Sequence, residues 1–251
     1  MPAPAKHFEA SSVASIDRSV WALGFVSLFM DLSSEMIHGV LPIYLVAVLG
    51  ASTLDVGIIE GIAEATASIT KIFSGALSDY LGKRKLLVAL GYGLSALTKP
   101  IFPLTSSLGW LIAARFVDRL GKGIRGAPRD ALVADVTLES LRGTAYGLRQ
   151  AMDTIGAFFG PLLALGLMLW TANRFKVVFW CAVAPAFIAI TIMIVAVREP
   201  ALKSRTQSAR VPIGLSDLKR LPFRYWEIVG TGAILALARF SEAFSSCARR
   251  T

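Results

Sequence analysis

Leu111-Ile112-Ala113-Ala114-Arg115-Phe116-Val117-Asp118-Arg119-Leu120-Gly121-Lys122-Gly123-Ile124-Arg125-Gly126-Ala127-Pro128-Arg129-Asp130 is the stretch that decides the fold. On a helix at about 100° per residue, Arg115, Asp118, Arg119, Lys122, Arg125 and Arg129 fall within an arc of about 120°. Phe116, Val117, Leu120, Ile124 and Ala127 occupy the other face. Alone, such a stripe could be a soluble basic loop. Its unbroken helical period, and its position among long apolar runs, argue instead for a membrane-spanning helix. Ionisable groups at membrane depth are costly, and unpaired ones need a water-filled cavity. The stretch therefore predicts a fourth span with one wet, basic face.

Reading outward, runs long enough to cross about 30 Å of hydrocarbon lie at about 20–48, 54–78, 86–104, 108–136, 144–170 and 176–197, with another at about 226–244. Short turns separate them, as at Gly50–Thr53, Thr105–Gly109 and Thr171–Asn173. Hydrophobic residues make up 55% of the 251 and charged residues 17%. A soluble domain carries about 25% charged residues, so a soluble enzyme and a disordered chain are both excluded. The net charge of +9 reads as a topology signal rather than a nucleic-acid footprint. Lys83-Arg84-Lys85 and the basic residues from Arg198 to Arg224 fall on one side, whereas the loops near 50 and 105 hold no Lys or Arg and the one near 173 holds only Arg174 and Lys176. That bias places the N-terminus, the 79–86 and 136–143 loops and the 198–225 segment in the cytoplasm. The map is a cytoplasmic tail over 1–19, a six-span bundle over 20–197, a basic linker over 198–225, and a partial seventh span with an aberrant tail over 226–251.

Other spans carry charge too. Asp31, Ser34, Glu35 and His38 share a face of the first, Glu60, Glu64 and Lys71 a face of the second, and Arg149 and Asp153 lie a turn apart in the fifth. The third and sixth are mostly clean, with no charge from Leu86 to Thr98 or from Val177 to Val197. A lone histidine is more often structural than a proton carrier; Asp31 and Glu35 keep His38 a candidate. Mutual neutralisation inside the bundle, without a ligand, is the competing explanation for the acids. Five cations on one face of the fourth span exceed what pairing needs. Gly156 and Gly160, four residues apart and followed by Pro161, permit close helix contact and a bend, and Lys99-Pro100 should bend the third span. Gly121–Gly126 looks like a phosphate loop but lacks its spacing and a preceding strand. The basic run lacks the aromatic interleaving of single-strand nucleic-acid binders. Cys181 and Cys247 form no ligand set. No cofactor, metal or nucleic acid is expected.

Gly75-Ala76-Leu77-Ser78-Asp79-Tyr80-Leu81-Gly82-Lys83-Arg84-Lys85 resembles the signature between spans two and three of the major facilitator superfamily of secondary transporters. Tyr80 stands where that family usually has a basic residue. Arg115–Gly121 resembles the fourth-span signature, with Asp118 in place of glutamine and Arg119 in place of a small residue. Asp135-Val136-Thr137 with Leu141-Arg142-Gly143 matches the second cytoplasmic turn. Gly156–Pro161 resembles the fifth-span antiporter motif, although Ala164 and Leu165 replace its paired glycines.

The resemblance covers about residues 20–200. It implies an all-α six-helix bundle of two inverted three-helix repeats, half of a twelve-span transporter. Helices one, two, four and five would line the cavity, and three and six would lie toward lipid. It also implies that the aspartate matching Asp79 meets a second half near its eleventh span. Two functions follow as expectations. One is a proton-coupled exporter of a charged or amphiphilic solute in a plasma membrane, bacterial inner membrane expected. Its basic stripe would bind an anionic group, and Asp31, Glu35, Asp118 and Asp153 would carry protons or neutralise cations. The other is a truncated or split half, inactive without a second six-span half or a second copy.

Overall fold

A computed structural model describes residues 16–199, together with Glu227, Gly230 and Thr231. The chain divides into two compact units, Met1–Pro200 and Ala201–Thr251. In the second, the three described residues are helical, and Thr231 Oγ1 donates to the Glu227 carbonyl at 2.8 Å. The readings of the 198–225 linker, the seventh span and Cys247 otherwise lie outside the described residues, as does most of the N-terminal tail.

The described part of the first unit is helical, without strands. Its helices are α1 (Arg18–Ala47), α2 (Thr53–Leu81), α3 (Arg84–Thr98), α4 (Ile101–Leu104), α5 (Leu108–Val136), α6 (Arg142–Trp170) and α7 (Phe175–Ala196), with a 3₁₀ turn at Glu139–Leu141. The six expected spans are all present, the third divided into α3 and α4. It divides at Lys99-Pro100, where proline supplies no N–H to the helix. Among the described residues, four segments have the length and apolar composition of a membrane crossing: Arg18–Ala47, Arg84–Leu104, Glu139–Trp170 and Phe175–Ala196. α2 and α5 are long enough but more highly charged.

Local chemistry sets the ends. Ser52 caps α2 reciprocally with Asp55: Ser52 Oγ accepts from Asp55 N at 3.1 Å, and Asp55 Oδ2 accepts from Ser52 N at 3.2 Å. Gly82 ends α2 at φ +66°, the left-handed conformation glycine adopts without a Cβ penalty. This allows the reversal into α3.

α1 packs against α6 and α7, and α5 packs against α2 and α3. Exchange the first three spans for the last three and this pattern maps onto itself, as two inverted three-helix repeats require. Two apolar clusters mark the ends of the bundle. One contains Leu23, Met30, Tyr92, Leu132 and Met193; the other contains Ile37, Leu41, Tyr44, Leu111 and Phe179. In the second, Tyr44 meets Phe179 edge-on with centroids 5.4 Å apart. Ile72, Phe73, Leu97, Leu169 and Val195 are exposed on the outside, the surface expected against lipid. Trp110 and Trp170, also exposed, stand near the ends of α5 and α6, as amphipathic rings do at a membrane interface.

Candidate functional site: a layered ionic network and a basic cavity

Between the apolar clusters lies a polar layer that joins four helices. Its deepest element is Lys99, 1% exposed. Lys99 Nζ donates to Asp118 Oδ1 at 3.0 Å and to Ser34 Oγ at 2.9 Å. Arg115 stands 3.8 Å from Asp118 and reaches across to α2, where Nε and Nη2 donate to the two oxygens of Glu60 at 3.0 and 2.6 Å. Glu60 also lies 3.2 Å from His38 Nε2, and His38 Nδ1 lies 3.5 Å from Glu35. One chain of charge thus runs from α3 through α5 and α2 to α1. Arg119 pairs with Glu64 at 2.8 Å.

The charged arc of α5 is accordingly not uniformly wet. Arg115, Asp118, Arg119 and Arg125 are buried, and Lys122 is exposed. The arc divides by direction. Arg115 and Arg119 turn to α2, Asp118 and Arg125 to α3, and Arg129 toward α1 and α6. Arg125 Nη1 donates to Ser95 Oγ at 2.6 Å, and its guanidinium carbon lies 4.5 Å from the Tyr92 ring centroid. Arg129 Nη1 donates to Ser27 Oγ at 3.1 Å and lies 3.8 Å from Asp153. Arg149 is 3.8 Å from Asp153 and 3.9 Å from Asp130.

The third span is not clean in function, because Lys99 supplies the buried partner of Asp118. A lysine near the outer end of an apolar run is the available signal, but beside Pro100 it reads only as a bend.

Asp31, Glu64, Lys71, Lys122, Arg129 and Asp153, with Arg125, border a cavity of about 220 Å³ between α1, α2, α5 and α6. A larger crevice of about 490 Å³, beside Gly39, Ile43, Pro161 and Leu165, carries no charged side chain. The polar chemistry is therefore in the smaller space.

The signature residues form a separate cluster at the α2–α3 turn. Arg84 reaches Asp79 at 3.2 Å, donates to the Ala131 carbonyl at 2.9 Å and ion-pairs with Asp135. Lys85 donates to the Ile194 carbonyl at 3.1 Å, Lys83 precedes α3 as its cap residue, and Arg142 lies 3.6 Å from Glu139. A Cβ at Gly75 would meet the Ala127 side chain at 3.3 Å. Gly156 faces the Leu28 carbonyl, and a Cβ at Gly160 would lie 2.7 Å from the Glu35 Cβ, so this pair lets α6 lie directly on α1. α6 runs on as helix through Pro161.

A six-span bundle of inverted repeats, with a buried ionic network between its apolar clusters, defines a polytopic membrane carrier fold. The Major Facilitator Superfamily model matches residues 23–246, and the chain belongs to that family, one of transporters rather than enzymes. An MFS-type transporter of Methanocaldococcus jannaschii is 33% identical over 231 residues, 91% of this chain and 56% of that protein. The multidrug resistance protein MdtH of Edwardsiella ictaluri is 30% identical over 169 residues, 67% of this chain and 39% of that protein. A crystal structure of the peptide transporter POT superposes with a TM-score of 0.65 at 18% identity, covering 88% of this chain and 46% of that one. The chain spans about half the length of the curated relatives it matches.

Proposed function

We propose that this chain is the N-terminal six-span unit of a secondary active carrier that exports a charged or amphiphilic small organic solute in exchange for protons. The observation behind this reading is the convergence of Asp31 from α1, Glu64 and Lys71 from α2, Lys122 and Arg129 from α5 and Asp153 from α6 on one cavity. Charge at membrane depth is functional by default, and this charge faces a space rather than only partners. Asp31 and Asp153 border that space and are the proton sites of this proposal, whereas Asp118 is held by Lys99 and Arg115. Similarity to a multidrug resistance protein supports export. The proposed setting is a bacterial inner membrane, with the N-terminus and the Arg84 cluster cytoplasmic. Co-reconstitution of the chain with a second six-span half into vesicles, with a trapped pH dye and a solute panel, tests this. Solute-dependent proton movement, lost in Asp31→Asn, is expected; solute flux indifferent to a pH gradient would remove the proton coupling.

A second reading rests on length. The chain covers 56% of the M. jannaschii relative and 46% of the peptide transporter structure, which supports a half-carrier that works only with a second six-span half or a second copy.

A further inference from the structure

The basic stripe of α5 is largely neutralised within the protein. Arg115 is held by Glu60, Arg119 by Glu64, and Arg129 lies between Asp130 at 3.4 Å and Asp153 at 3.8 Å. Three cations at the cavity remain without a carboxylate within 4.0 Å among the described residues: Lys71, Lys122 and Arg125. Against them stands Asp31, the one bordering acid with no such cation of its own, so the space keeps an excess of two positive charges. Each of the three is positioned. Lys122 is the midpoint of the 29-residue α5. The stem of Lys71 lies across α5 at Gly126, where an added Cβ would come within 3.3 Å of its Cγ, Cδ and Cε. Arg125 is held by the Tyr92 ring at 4.5 Å and by Ser95 Oγ at 2.6 Å, contacts that orient the guanidinium without cancelling its charge.

We propose that Lys71, Lys122 and Arg125 form the receiving site for one anionic oxygen group, a carboxylate or phosphate, of the transported solute. Unpaired cations deep in a span need a counter-charge or water. The two ammonium groups can donate to several oxygens of one anion, and Arg125, held at Ser95 and Tyr92, adds its positive charge at the cavity wall. The proposal rests on the carrier reading and narrows its solute to anions.

Equilibrium binding to the chain in lipid nanodiscs tests it, with 2-naphthyl phosphate, 2-naphthoate and neutral 2-naphthol as probes of equal ring size. The two anions should bind about tenfold or more tightly than 2-naphthol, since one charged hydrogen bond alone changes affinity by about that factor. Lys71→Gln and Lys122→Gln should each remove most of this advantage, and Lys71→Arg and Lys122→Arg should keep it. Both lysines are exposed, so the Gln variants should fold, checked by helical circular dichroism. Equal binding of 2-naphthol and the anions, or anion preference undiminished in the double Gln variant, would overturn the site. Anion-selective binding by the chain, with no flux in vesicles that also hold a second six-span half, supports the site and removes the carrier reading. Flux of neutral solutes without anion preference overturns the site and leaves the carrier reading standing.

Discussion

Lys99 shows how a buried ion pair can be both costly and necessary. Its ammonium is enclosed with Asp118 and Ser34, and removing one partner leaves the other uncompensated. Lys99→Met should therefore destabilise the bundle by about 3–5 kcal/mol, and adding Asp118→Leu should recover most of that. Thermal unfolding in detergent, read by circular dichroism, measures both; a single variant as stable as the parent would show that Asp118 finds its charge balance elsewhere. The pair also marks where sequence reading stopped. The phase of Asp118 on α5 was legible, because helical period orders residues within one helix. Which residue it meets depends on how α3 lies against α5, and one sequence contains no such register. Glu60 with Arg115 and Glu64 with Arg119 were likewise visible as faces and not as pairs.

Elements were more legible than contacts. The apolar runs gave all six spans, with limits close to those of the helices, because spanning length and turn chemistry are local properties. The uniform wet face assigned to α5 was too coarse, since α1, α2, α3 and α6 share its arc. A cysteine at Lys122 should react readily with a water-soluble thiol reagent, and cysteines at Arg119 and Arg125 should react poorly, being buried. Equal labelling at the three positions would show that the pairing of α5 with α2 and α3 opens in the membrane. Helix contact predicts a second contrast. A Cβ at Gly121 would lie 2.6 Å from both the Gly91 carbonyl and Ser95 Oγ, whereas one at Gly147 meets nothing within 4 Å. Gly121→Ala should cost about 1–3 kcal/mol by forcing α3 and α5 apart. Gly147→Ala should be neutral or stabilise α6 by up to about 1 kcal/mol. Unfolding midpoints of the two variants decide it.

At the scale of the whole molecule, the packing of α1 on α6 and α7 mirrors that of α5 on α2 and α3, so each repeat completes the other's core. Among the described residues, the charged cavity has no such completion. Lys71 and Lys122 are exposed deep in their helices, and an ionised lysine facing hydrocarbon costs about 2.5–3.5 kcal/mol on insertion scales. Burying α1, α2, α5 and α6 against a second six-span unit would turn that surface into the wall of a water-filled pathway. The chain expressed alone should therefore accumulate poorly or self-associate and show no solute flux. Co-expression with the C-terminal half of the M. jannaschii relative, or fusion of two copies in tandem, should raise its membrane abundance. The readouts are quantitative immunoblotting of membranes and flux of 2-naphthyl phosphate in vesicles. Robust flux from the single chain, with no dimer captured by crosslinking, would mean that six spans suffice. The lysines would then have to be covered by lipid headgroups or by rearrangement of α2 against α5.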